Sequence, residues 1–356
     1  MTTAEDLLDL TAELVDIPSV SLEEAAIADY LEARLRRLDH LEVTRIGHNV
    51  VARTHLGRDL RLVLAGHTDT VPPAGNERSR RQGDTLWGVG TADMKGGLAV
   101  FLAVAAAVDD PAVDLTLVFY VAEEVAAEHS GLAQLIRDAP ALLAADAAIL
   151  GDPPDGAVEA GCQGTMRLAI TVTGHRAHTA RPWMGVNAIH RLGPILDRIA
   201  TYEPRTPVLA GCEYREALQA VAIEGGVAGN VVPDHAVLTV NHRFAPDRSA
   251  TEAEAHLRSL FAGVDGVEAI EVLDEAPGAP PSTDHPLLSP LAARLGVRAK
   301  LGWTDVARFA DLGVPAINLG PGDSTLAHTP DERVTGDQLA RTFAALVDLL
   351  APGGVD

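Results

Sequence analysis

Three short apolar runs, LVLA at 62–65, LVFYVA at 117–122 and AAIL at 147–150, punctuate the first half of the chain, and each stops at a glycine or an acid. Unbroken apolar runs of this length suit strands covered on both faces, the condition of a parallel sheet. Between them the period changes. Residues 3–15 and 21–38 carry apolar side chains at three- and four-residue spacing, and residues 94–108 and 130–144 are similarly helical. Ser21 and Glu24 have the spacing of a capping box. With strands expected at 41–54, 61–65, 115–122 and 146–150, this alternation predicts a doubly wound α/β layer.

The pattern shifts at residue 165. Residues 166–173 alternate apolar and polar positions, as a half-exposed antiparallel strand does. A helix at 187–199, strands at 218–224 and 236–244, a helix at 251–261 and a strand at 267–273 complete a small α+β sandwich. The proline-rich stretch EAPGAPPSTDHP, 275–286, reads as the return linker. Beyond it come a buried strand at 314–319 and a closing helix at 336–350. The expected architecture is an α/β mixed-sheet catalytic domain, residues 1–164 and 280–356, interrupted by an α+β sandwich at 165–279. A chain of 356 residues is long enough for two cores.

The candidate chemistry sits where the apolar runs end. His67 and Asp69 follow LVLAG, Glu123 and Glu124 follow LVFYVA, Asp152 follows AAILG, and His328 comes soon after the strand at 314–319. Asp93 joins them from the loop GVGTADMKGG before a helix. Ligands in open α/β sheets bind outside the carboxyl ends of the strands, so these positions can converge. Two histidines with several carboxylates suit a pair of zinc-like ions, one carboxylate bridging, and Asp69 is placed to orient His67. Each residue also has a plainer role. Asp93 suits a helix N-cap, the glutamates a solvated strand end, Asp152 a turn and His328 a loop. One address shared by all of them favours the metal. Neighbours on a strand point to opposite faces, so Glu123 and Glu124 can serve one site only if the chain bends there. Spacing does not say which of the two ligates and which acts as base.

Charge narrows the partners. The chain has 28 basic and 50 acidic residues, a net charge of -22, and Lys95 and Lys300 are its only lysines. Nucleic acid and anionic membrane would be repelled. The longest apolar run, 96–108, is too short to span a bilayer. Cys162 and Cys212 suggest neither a disulfide framework nor a cysteine zinc knuckle, and the acidic start MTTAEDLLDLTAEL is unlike a secretion signal. A cytoplasmic protein is expected.

The series GHTDTVP, the Asp93 loop with MKGG, the EE pair, the acid after Gly151 and AHTPDE resembles, in order and over nearly the whole chain, one metallohydrolase family. It includes aminoacylase, glutamate carboxypeptidase, acetylornithine deacetylase and succinyl-diaminopimelate desuccinylase. The resemblance implies two Zn2+ ions, with Co2+ or Mn2+ as substitutes. His67 and Asp152 would hold one ion, Glu124 and His328 the other, and Asp93 would bridge, followed by a cis peptide. Glu123 would be the general base and Asp69 the partner of His67. The inserted domain would be a lid and dimerisation domain, giving a homodimer in which His178 reaches the neighbouring site to stabilise an oxyanion.

GHRAHTARPWMGVNAIH, EYREALQAVAIEGGVAGNVVPD and GWTDVARF are similar to the shorter desuccinylase branch. The implied substrate is a small N-acyl diamino acid, N-succinyl-diaminopimelate, touched by Asn230, Arg243, Thr304 and Arg308, with Arg181 a further candidate. Guanidinium forks there would grip its carboxylates. The resemblance also leaves open a deacetylase or aminoacylase activity. The chain departs from the family at two places. Asp152 replaces the commoner glutamate, one methylene longer, and Ser324 stands where longer members have asparagine.

Overall fold

The computed structural model describes residues 2–154 and 156–353. It divides into two compact units, the first made of 1–160, 281–298 and 308–356, the second of 161–280 and 299–307.

The first unit is organised by an eight-stranded mixed sheet. Its order is Glu42–Ile46, Asn49–Arg53, Asp114–Tyr120, Arg61–His67, Ala147–Leu150, Ala316–Asn318, Val158–Ala160 and Val297–Ala299. The middle four run parallel, and antiparallel partners flank them on both sides. Every residue of Asp114–Tyr120 is buried, as its largely apolar sequence demands.

Helices Ala4–Val15, Lys95–Ala107 and Gly336–Leu350 contribute Leu7, Phe101, Leu339 and Leu346 to one core with the sheet residues Leu64, Leu117 and Ile149. Lys95–Ala107 is buried from its first residue through Ala105. It lies so close to the sheet that a Cβ on Gly97 would overlap the Gly151 carbonyl oxygen. Helices Ala25–Leu35 and Gly131–Asp138 lie against Asn49–Arg53.

The second unit carries an antiparallel sheet in the order Ala217–Gly225, His235–Phe244, Gly164–Thr173 and Val267–Ala276. Helices Gly193–Ala200 and Ala250–Phe261 place Ile195, Leu257 and Phe261 in its core. Strict burial of alternate residues along His235–Phe244 is the one-sided packing its sequence announces.

Several local expectations are corrected. The stretch 41–54 is a hairpin of two strands, turned at Gly47 with φ 62°. The helix expected at 187–199 breaks into Ala188–Arg191 and Gly193–Ala200 at Pro194, whose nitrogen has no proton to donate. Ser21 and Glu24 form no capping box. The helix starts at Ala25, with no side-chain bond at its cap residue Glu24. Residues 299–307, expected with the first domain, belong to the second unit. There the Gln163 N–H donates to Lys300 O and the Cys162 thiol to Thr304 O. A three-stranded sheet of Arg333–Thr335, Thr85–Trp87 and Arg80–Gln82 had no apolar signal to announce it.

Candidate metal centre

Parallel register brings the strand ends of the first unit together. His67 lies opposite Tyr120, and Ala65 opposite Leu150. The residues just past each strand therefore land in one place: Asp69 after the first, Glu123 and Glu124 after the second, Asp152 after the third. The bend that the glutamate pair requires is present, because Ala122 has φ 58° in the left-handed region. His328, with φ 63°, arrives behind the short helical turn Ser324–Leu326.

Asp93 joins from the far side of a cis peptide to Met94. It does not cap the helix after it. Met94 takes the cap position, and the Asp93 carboxylate turns to the histidines. Its Oδ1 lies 3.0 Å from His67 Nε2 and its Oδ2 3.6 Å from His328 Nε2. His328 Nε2 is 2.7 Å from Glu124 Oε1.

Two groups of ligand atoms thus share Asp93: His67, Asp93 and Asp152, and Asp93, Glu124 and His328, the atoms of each lying within 4.8 Å of one another. Glu123 forms a third such group with His67 and Glu124. His67 is fully enclosed, and burial alone would lower its pKa. Asp69 and Asp93 outweigh burial and hold it well above the usual histidine range. His328 is raised by its bond to Glu124. Carboxylates that favour positive charge on both imidazoles form a negative pocket of hard oxygen and imidazole donors, the chemistry that suits divalent cations. The residues fit a metal centre.

Asp69 does more than orient His67. His67 Nδ1 lies 3.1 Å from the main-chain oxygen of Asp69 and 3.4 Å from its Oδ1, so the two acceptors share the ring proton. The same carboxylate accepts the N–H of Glu123 at 3.0 Å and of Glu124 at 3.1 Å, and the hydroxyl of Ser21 at 2.8 Å. Burial raises its pKa, but His67, the Glu123 N–H and Ser21 prevail, and the value falls to about 2.

Glu24 accepts the Ala122 N–H at 3.1 Å, and Glu332 accepts those of Ala92 and Asp93. Sequence reasoning missed all three supports. Ser21 and Glu24 were hidden by a plausible helix cap, and Glu332 by the absence of any strand end near it.

The remaining candidates divide between the units. Arg308, on helix Val306–Asp311, belongs to the first unit. His178, Asn230, Arg243 and Thr304 belong to the second. His178 pairs with Val231 across a two-residue antiparallel ladder, and the Thr179 N–H donates to Asn230 O at 3.0 Å, so His178 and Asn230 lie at the same ladder. His178 is exposed, its Nδ1 accepting the Ala180 N–H. Arg181 is the cap residue of the turn that follows. Half-buried Arg243, its pKa lowered by burial, lines a cavity of about 750 Å³ with Arg215, Gln163 and Gln219. Thr304 is buried.

Imidazoles and carboxylates converging at the carboxyl end of a parallel sheet define the class, an α/β protein built around a metal centre. Residues 63–351 match peptidase family M20/M25/M40, and the chain belongs to that family. It is 45% identical, over 97% of its length and 96% of the other's, to a Corynebacterium glutamicum protein named succinyl-diaminopimelate desuccinylase. A Mycobacterium tuberculosis chain, DapE, is 53% identical over 97% of both and carries the same name provisionally. Among solved structures, a Staphylococcus aureus tripeptidase superposes with a TM-score of 0.80 at 24% identity, covering 98% of each chain, a likeness of fold.

Proposed function

We propose that the chain is a dinuclear zinc amidohydrolase that cleaves N-succinyl-LL-2,6-diaminopimelate to succinate and diaminopimelate. The observation that carries this reading is the pair of ligand groups sharing Asp93, in a chain 45% identical to a named desuccinylase. His67 and Asp152 would hold one ion and Glu124 and His328 the other, with Asp93 shared between them. Such ions lower the pKa of water and polarise an amide carbonyl.

The chain's own residues handle the protons. Glu123 takes one from the attacking water and returns it to the departing amine, so the C–N bond breaks without releasing an anionic nitrogen. Asp69 holds the backbone on which Glu123 sits and fixes the His67 ring. His178 of a second copy would donate to the carbonyl oxygen as charge develops there. Arg243, Arg308, Asn230 and Thr304 would grip the substrate's carboxylates, and the cavity beside Arg243 has room for one.

A homodimer through the second unit, acting as lid, accompanies this reading. Its edge strand Ala217–Gly225 leaves Val221 and Ile223 exposed, 55% and 49%, surface that a second copy would cover. Cytoplasmic residence accords with two buried, free thiols, Cys162 and Cys212. Among the described residues no helix is long and apolar enough to cross a membrane.

The test is hydrolysis of N-succinyl-diaminopimelate, N-acetylornithine and a tripeptide side by side, with metal content measured on the same sample. Preference for the succinyl substrate by about 100-fold or more, roughly the discrimination a few charged contacts supply, supports the proposal. Faster cleavage of the acetyl substrate or the tripeptide would sink it.

A further inference from the structure

Glu332 lies four residues beyond His328, is 1% exposed, and lies outside all three groups of ligand atoms. Its Oε1 accepts two consecutive main-chain N–H groups, Ala92 at 3.0 Å and Asp93 at 3.1 Å. Those amides belong to the loop that presents Asp93, and the next residues, Met94 and Lys95, are buried. From the other side the loop is tied by the Lys95 N–H, which donates to Gly90 O at 2.7 Å. Lys95 Nζ donates to Ile17 O at 2.8 Å.

A carboxylate shared by two ions has to face both at once. That demands a fixed backbone, because a tilt that improves one contact spoils the other. Two bonds to adjacent amides from a single acceptor remove that freedom. Glu332 does for Asp93 what Asp69 does for the glutamate turn.

We infer that Glu332 is a positioning residue, a buried carboxylate that clamps the Ala92 and Asp93 amides so that Asp93 can bridge two ions. The inference rests on the metal-centre reading and adds a residue to it. Glutamine keeps an oxygen where both amides need it and removes the charge. Alanine removes both bonds, and aspartate draws the acceptor back by one methylene.

The experiment measures Zn2+ affinity and stoichiometry by competition with a chelator for wild type, E332Q, E332D and E332A, with thermal unfolding of each metal-stripped protein. E332D and E332A should bind the ions about 10–100-fold more weakly, the usual effect of losing a partner behind the ligands, and E332Q should stay within about threefold of wild type. If E332A does not fold, E332D decides.

A general structural role would lower the melting temperature and leave affinity and stoichiometry unchanged in folded protein, and that result would overturn the inference. Equal loss in E332Q and E332D would overturn it too, since charge rather than the acceptor would then matter. Failure of wild type to bind Zn2+ would instead remove the metal-centre reading beneath it.

Discussion

The division of labour between Glu123 and Glu124 turns on one alanine. With φ 58° at Ala122 the chain leaves the strand direction just before the glutamates, and both carboxylates reach one group with His67. Glu124 reaches His328, while Glu123 lies in a group with His67 and Glu124. If Glu123 carries the proton, Glu123→Gln should bind the full complement of metal and lose about 10²–10⁴-fold in kcat. Metal analysis and steady-state kinetics on one preparation check this, and a near-normal kcat would transfer the role elsewhere.

At this scale the sequence was legible wherever a strand end announced a convergent side chain, as with His67, Glu124 and Asp152, which fall into the groups of donor atoms. It was silent on the bend, because alanine carries no signature of a left-handed conformation. It was misleading at Ser21 and Glu24, where the spacing of a helix cap concealed side chains that reach Asp69 and Ala122.

The elements hold the site by close approach. Helix Lys95–Ala107 can start directly after Asp93 and Met94 only because Gly97 lets it touch the Gly151 carbonyl, one residue before Asp152. Gly97→Ala should cost about 1–3 kcal/mol in stability and weaken Zn2+ binding, both read by urea unfolding and metal titration. Wild-type affinity in the variant would show that helix and site are independent.

Asp114, at the start of its strand, ties down the loop before Arg61 by accepting the Thr54 hydroxyl and the N–H groups of Leu56 and Arg58. Burial alone would raise its pKa, but those bonds and Arg61 outweigh it, and the net shift is downward. A carboxyl lowered on folding stabilises the protein above its unfolded pKa, about 4, and that stability is lost as the pH falls through the folded value. Asp114→Asn should therefore lower stability by about 1–3 kcal/mol at neutral pH. The gap from wild type should narrow below about pH 4 in urea titrations.

Elements with a strong period, such as Gly336–Leu350 and His235–Phe244, could be read from the sequence closely. The turn at Gly47, which divides the strand expected at 41–54 into two, and the small three-stranded sheet could not, since a single glycine and three-residue strands leave no period to read.

For the whole molecule the functional question is whether one chain suffices. If His178 acts on a neighbouring site, a charge placed on the exposed edge strand, as in Val221→Arg with Ile223→Lys, should yield monomers that bind Zn2+ normally and turn over at least about 100-fold more slowly. Sedimentation and kinetics decide it. A fully active monomer would rule out His178 acting from a second copy. Charge and composition already spoke at this scale, against nucleic acid and for two domains, while the return of residues 299–307 to the second unit had no sequence mark.

The strand order has a consequence for biosynthesis. Ala316–Asn318 lies between Ala147–Leu150 and Val158–Ala160, although the entire second unit is encoded before it. A ribosome therefore releases the five neighbouring strands that end at Ala147–Leu150 with a bare apolar edge, and that edge waits for well over a hundred codons. His328 emerges later still, so the emerging polypeptide can hold at most a partial set of ligands. On the two-ion reading proposed above, loading of both cations would belong to the last moments of translation or to the finished chain.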